Sequence, residues 1–207
     1  MRKFRFYIDL EKEEKWLNEM AMQGWELTGK SLQYEFRKMT SKETVVKIDY
    51  RHFKTKDDFE EYITLFRDSG WAHIAGTKTA GKQYFKKINR GGDTDIFSDV
   101  PSKAARYKRL SDVCLWAAIS CMVFFIPLIT TKAVNSAVLL NPKLLYFTPG
   151  LWEKTGAAFW QAFLFETPFA VMRGAGWFFF PIMIILYVVF VLKAQKLYRR
   201  TRDGSLF

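Results

Sequence analysis

The chain has 207 residues, a net charge of +11 and 17% aromatic residues, which leaves room for one modest domain plus membrane elements and excludes a large two-domain enzyme. The charge is uneven: Met1–Ser102 carries 19 Lys/Arg against 17 Asp/Glu, and the remaining 105 residues carry 13 against 4. Basic residues gathered around apolar segments serve topology and contact with anionic lipid, and without a basic stripe or an RNA-binding aromatic motif they do not point to nucleic acid.

MRKFRFYIDLEK places acidic residues where the apolar core of a secretory signal would begin, so residue 1 is expected in the cytoplasm. Lys3–Asp9 alternates, Phe4, Phe6 and Ile8 against Arg5 and Tyr7, and predicts a strand with one buried face. Leu10–Gly24 switches to helical spacing, with Trp16, Leu17 and Met20 on one face. Glu11, Glu13 and Glu14 at its start suit the positive end of the helix dipole and predict solvated side chains. Gly24 is expected to end the helix in the left-handed conformation, with Trp25 folding back. Ser31–Lys38 and Thr44–Phe53 alternate again around MTSKE and predict a hairpin.

Asp57–Gly70 then repeats the first helix. Tyr62, Ile63, Phe66, Gly70 and Trp71 match Trp16, Leu17, Met20, Gly24 and Trp25 at a constant offset of 46, and YRHF (Tyr50–Phe53) matches FRFY (Phe4–Tyr7). With a last strand over Lys82–Lys87, the order is β-α-β-β-α-β. The expected fold is therefore α+β, a ferredoxin-like split βαβ domain over residues 1–88, with one antiparallel sheet and both helices on one face. Such a sheet leaves its other face open, carrying Arg5, Tyr7, Lys47, Asp49, Arg51 and Phe53, with Glu35 and Arg37 beside them. These are the candidate ligand- or partner-binding residues, since aromatic and arginine side chains suit contact. The alternative is a solvated face whose opposite charges pair across strands.

Asn89–Pro101 is polar and rich in Gly and Asp, and with the basic stretch Lys103–Asp112 forms an expected linker and juxtamembrane segment over 89–112. Val113–Thr131 contains no charge and is long enough to cross a bilayer core of about 30 Å; Pro127 is expected to bend or end that helix. A second uncharged span is expected over Gly174–Leu192, followed by the basic tail 193–207. Nine basic residues flank the two spans on one side, against four in the longer Lys132–Arg173, which predicts cytoplasmic termini. Within that connecting segment, Gly156–Met172 is strongly apolar but interrupted by Gln161, Glu166 and Pro168, and predicts an interfacial or re-entrant helix rather than a third span. The run Gly174–Gly176 permits close helix approach in an oligomer, or simply begins the helix.

No Walker-type loop, GxSxG elbow, HExxH or Cys/His cluster occurs. No catalytic residue, metal site or cofactor is therefore expected. Cys114 and Cys121 are read as packing residues, and His52 and His73 are isolated. KFRFYIDLEKEEKWLNEMAMQGWEL, the IDYR of Ile48–Arg51 and FEEYITLFRDSGW from Phe59 resemble an uncharacterised bacterial membrane-associated family, domain of unknown function 2812. The resemblance covers roughly Met1–Ile88. It implies C-terminal transmembrane helices, a setting beside PadR-type transcription regulators, and no catalytic residue. The expected function is a non-enzymatic regulatory or sensory protein of the bacterial cytoplasmic membrane, whose partners are the bilayer and a protein, a ligand or a second copy. The rival is an oligomeric membrane component for transport of, or resistance to, a lipid, peptide or drug.

Overall fold

The computed structural model describes residues 1–39, 44–88, 94–131 and 136–204. Most of the MTSKE turn, the start of the linker (89–93) and the end of the tail (205–207) lie outside the described residues. The chain forms two compact units, Met1–Asp112 with Val191–Phe207, and Val113–Phe190.

The first unit contains β1 (Arg2–Lys3), α1 (Leu10–Met22), β2 (Trp25–Lys30), β3 (Tyr34–Lys38), β4 (Val46–Tyr50), α2 (Lys56–Asp68), β5 (Trp71–Ala75) and β6 (Lys82–Lys87). The α+β class is as expected, and the split βαβ motif occurs twice. One sheet has the order β1-β3-β2 and the other β4-β6-β5, all pairings antiparallel. In each half the last strand therefore inserts between the two parallel strands that the helix connects. The single sheet expected from the alternation is thus two three-stranded sheets, because WELTGK and WAHIA, which follow the helix-ending glycines, are themselves strands. The 46-residue repeat persists into detail: the strand after each helix carries a register shift, Leu27/Gly29 in one half and His73/Ala75 in the other.

Local chemistry sets the helix ends. Asp9 accepts from the backbone N–H of Glu11 and Lys12 and caps α1, while Thr55 and Asp58 form a reciprocal capping box on α2. Gly24 and Gly70 follow the C-caps with φ of 82° and 85°, as the spacing predicted. The N-terminal strand is shorter than the alternation suggested. Only Arg2 and Lys3 pair, and Phe4 and Phe6 are 70% and 67% exposed instead of buried.

Among the described residues, two clusters form the core of this unit. Leu10, Trp16, Leu17, Leu27, Tyr34, Phe36, Val46, Ile48 and Tyr84 build the larger one, and Tyr62, Trp71 and Phe85 the smaller, under α2. Lys47 and Asp49 share their side of β4 with Phe85 and Gln83 of β6, and α2 covers that side through the Tyr62–Phe85 and Phe66–Phe85 contacts. The expected open face of this sheet is therefore covered.

β4 is an edge strand, and side chains occupy its outer hydrogen-bonding groups. Asn18 bonds both the N–H and the carbonyl of Val46, and Glu14 accepts from Ile48 N. Arg106 donates to the carbonyl of Ile48 and Arg109 to that of Tyr50. Both arginines stand in the early turns of α3 (Val100–Thr130), so the start of this helix is part of the domain. An exposed edge is a template for unwanted pairing; here it is closed. The preceding residues are also packed: Ile96 lies against the smaller cluster and Phe97 under the Arg106 guanidinium.

The second unit holds the apolar part of α3, three short 3-10 turns between residues 136 and 153, and most of α4 (Gly156–Arg202). Pro127 sits in the last turn of α3. At about 1.5 Å per residue α4 is about 70 Å long, and it is unbroken, so 156–172 is not a separate interfacial helix. Pro168 lies inside this helix, and the Glu166 carboxylate is met by the segment before it: it accepts from Phe147 N, Thr148 N and the Thr148 hydroxyl, and pairs with Arg173 at 2.7 Å. Gly174 lies against Leu145 and Gly176 against Leu128, so this small-residue run serves packing within the chain.

Candidate functional site

The candidate residues separate into three settings. Arg51 and Phe53 follow β4 and line a cleft of about 520 Å³ with His52, Lys54, Asp58, Glu61, Tyr62 and Leu65. The Arg51 guanidinium lies 5.5 Å from the Tyr62 ring centre and 5.6 Å from that of Phe53. It forms no ion pair with any described residue. An unpaired guanidinium over two rings suits a carboxylate or phosphate that brings apolar surface with it.

Arg5 and Tyr7 line a second cleft of about 240 Å³ with Lys30, Tyr34, Lys82 and Tyr84. Behind these lining residues lies Glu13, fully buried, which accepts from the hydroxyls of Tyr34 (2.6 Å) and Tyr84 (2.7 Å) and from the Lys82 ammonium (2.5 Å). Burial holds the Lys30 ammonium below its usual range, with the charge of Glu13 opposing. Burial, reinforced by Glu13, pushes both tyrosine hydroxyls far above theirs.

Lys47 and Asp49 line neither cleft. Lys47 stands between Glu14 (3.6 Å) and Asp95 (3.5 Å). Asp49 is buried, accepting from the Tyr62 hydroxyl at 2.8 Å and from Arg109 at 2.6 Å. It therefore connects a ring of the larger cleft to α3. The neighbouring Glu35 and Arg37 pair across strands, with Arg2 at 2.9 Å and Glu26 at 3.2 Å, as a solvated sheet surface would.

Sequence reasoning missed Glu13, Glu14, Arg106 and Arg109. Glu13 and Glu14 are buried rather than solvated, and Arg106, read as a juxtamembrane charge, is fully buried on Glu14 at 2.5 Å. A signal existed. Leu10, Glu13, Glu14, Leu17, Met20 and Ala21 form one helical stripe, so two carboxylates sit inside the apolar face of α1.

The features define an α+β domain with two clefts lined by both aromatic and charged side chains, continued by two helices long and apolar enough to cross a membrane. The family described as "Protein of unknown function (DUF2812)" matches residues 9–119, and the chain belongs to it. The matched region includes the early turns of α3 that close the β4 edge. No curated protein and no solved structure matches the chain.

Proposed function

We propose that this is a membrane-anchored regulatory or sensory protein, not an enzyme, whose N-terminal domain binds a partner or small ligand at the Arg51 cleft. In this reading both termini lie on the cytoplasmic side of a bacterial membrane, in an envelope-response setting beside a PadR-type transcription regulator. One observation carries the reading: Tyr62 lines the cleft, donates to Asp49, and Asp49 holds Arg109 of α3. An occupant that shifts the Tyr62 ring alters a buried contact of the helix that continues into the apolar segment. Among the described residues the buried carboxylates of this domain are engaged, Glu13 by two tyrosines and Lys82, Glu14 by Ile48 N and Arg106, Glu26 by Arg37 and Lys86, Asp49 by Tyr62 and Arg109. This supports binding over acid–base catalysis.

The test is affinity capture of the full-length protein in mild detergent, with Arg51→Ala and Phe53→Ala in parallel and bound molecules identified by mass spectrometry. A protein or small molecule retained by the wild type and lost from both variants supports the reading. Identical sets from all three contradict it.

The transport or resistance reading rests on the aromatic group Tyr146, Trp152, Phe159 and Phe163, whose ring centres are 5.3–6.3 Å apart. Efflux or resistance that disappears with Trp152→Ala and survives Arg51→Ala favours it.

A further inference from the structure

The N-terminal segment is basic, aromatic and exposed, and it lies beside the last turns of α4. Phe6, Tyr7, Ile8, Lys12, Lys193 and Lys196 line a cleft of about 380 Å³ together with Asp9 and Leu197. The walls are largely apolar, and three lysines, Lys12, Lys193 and Lys196, are among the residues that line it. None of the three pairs with a carboxylate among the described residues. The one carboxylate present is occupied: Asp9 Oδ1 accepts from Glu11 N (3.1 Å), Lys12 N (3.2 Å) and the Tyr107 hydroxyl (3.2 Å).

Position identifies the occupant. Lys193 is the first residue after the uncharged stretch Gly174–Leu192, so when that stretch crosses a bilayer Lys193 and Lys196 stand at headgroup depth. Leu197 and Tyr198 pack on the larger core cluster, which holds this turn against the domain. Phe4 and Phe6, largely exposed, project from a segment that also carries Arg2, Lys3 and Arg5. Aromatic rings interleaved with cations suit the boundary between headgroups and acyl chains, where rings enter and cations meet anionic lipid.

We infer that this cleft is a binding site for one anionic phospholipid of the adjoining leaflet. Lys12, Lys193 and Lys196 hold the headgroup phosphate, and Phe4 and Phe6 lie among the upper acyl carbons. The site rests on the reading of Gly174–Leu192 as a membrane span, and it gives the domain a second attachment to the surface that is independent of the Arg51 cleft.

The test uses the full-length protein in detergent micelles and nanodiscs. Native mass spectrometry with added phosphatidylglycerol or phosphatidylcholine counts and ranks bound lipids, for wild type, for Lys193→Gln/Lys196→Gln, and for Arg199→Gln/Arg200→Gln as a charge-matched control outside the cleft. The expected result is one phosphatidylglycerol per chain held in preference to phosphatidylcholine. Its affinity falls about tenfold or more in the lysine pair and changes little in the arginine pair. Phe4→Ser/Phe6→Ser weakens it while leaving the thermal midpoint unchanged. Equal losses in the two pairs reduce the effect to diffuse attraction by a basic tail and overturn the site. Competition by millimolar inorganic phosphate overturns it in favour of a soluble anion. Extraction of the protein from vesicles by alkaline carbonate defeats the spanning reading itself; retention with unaltered lipid binding in the lysine pair defeats the lipid site alone.

Discussion

Arg5 and Arg51 are 46 positions apart and make the same contact. Each guanidinium lies over a ring on the following helix, Arg5 4.8 Å from the Trp16 centre and Arg51 5.5 Å from that of Tyr62. The aromatic two residues on also corresponds, Tyr7 against Trp16 at 5.8 Å and Phe53 against Tyr62 at 4.7 Å. The halves differ in what lies behind the ring. Tyr62 continues to Asp49 and Arg109, whereas Trp16 packs on Tyr34 and Phe36. Arg51→Ala should therefore weaken binding of a captured partner by about 1–2 kcal/mol or more, while Arg5→Ala, which leaves the larger cleft and its connection intact, should change it little. Calorimetric titration of both variants separates them. Equal effects would remove the asymmetry on which the regulatory reading depends.

The Glu14–Arg106 pair is a stability determinant. Removing one partner of a buried pair costs about 3–5 kcal/mol, and here the lower end applies because Glu14 keeps the longer Lys47 contact at 3.6 Å. Arg106→Met should lower the unfolding midpoint of the full-length protein in detergent by that order. Glu14→Gln/Arg106→Met should recover much of the loss, because a glutamine oxygen can still accept from Ile48 N. A double variant as unstable as Arg106→Met alone would argue against this account.

Stability should fall with acid in two steps. Burial holds the His73 imidazole below its usual range, the Gln83 contact partly opposing. The Lys86 hydrogen bond, with Arg37, holds the Glu26 carboxyl below its own range against burial. Both folded groups resist protons that the unfolded chain accepts, so stability is full above the unfolded values, 6.5 for histidine and 4.5 for glutamate, and is lost as pH falls through the folded ones. His73→Gln should remove the first decline and leave the second, in urea melts from pH 8 to pH 4.

Gly24→Ala and Gly70→Ala should each destabilise by about 1–2 kcal/mol, the cost of a left-handed conformation with a side chain. At Gly24 the added carbon would also stand 3.1 Å from the carbonyl of Met39, which raises the cost there. Thermal melts of the two variants decide it.

The helices, their glycine stops and the 46-residue repeat were legible in the sequence because each is a local pattern of spacing. β2 and β5 were not, since their glycine, alanine and mixed residues give no clean alternation, and their place depends on a third strand inserted later in the chain. Phe4 and Phe6 alternate like buried residues yet stand exposed; only two positions of their segment find a partner strand. Glu166 looked like an interruption of α4 because its partners, at 147, 148 and 173, are remote in sequence. Of the candidate residues, Arg5, Tyr7, Arg51 and Phe53 lie at clefts. Lys47 and Asp49 are drawn inward by Glu14, Tyr62 and Arg109, partners that alternation alone does not reveal.

The closed edge of β4 has a consequence for how the protein is made. When residues 1–99 have left the ribosome, Glu14 and Asp49 still lack their arginines, and the carbonyls of Ile48 and Tyr50 still lack their donors. The domain reaches its final form only when Arg106 and Arg109 arrive, a few residues before the apolar segment that begins at Val113 emerges. Completion of the domain and emergence of the apolar helix thus fall within one short interval of synthesis. A fragment ending at Ile88 would keep two edge carbonyls without donors, Asp49 without Arg109, and Glu14 with only the longer Lys47 ion pair.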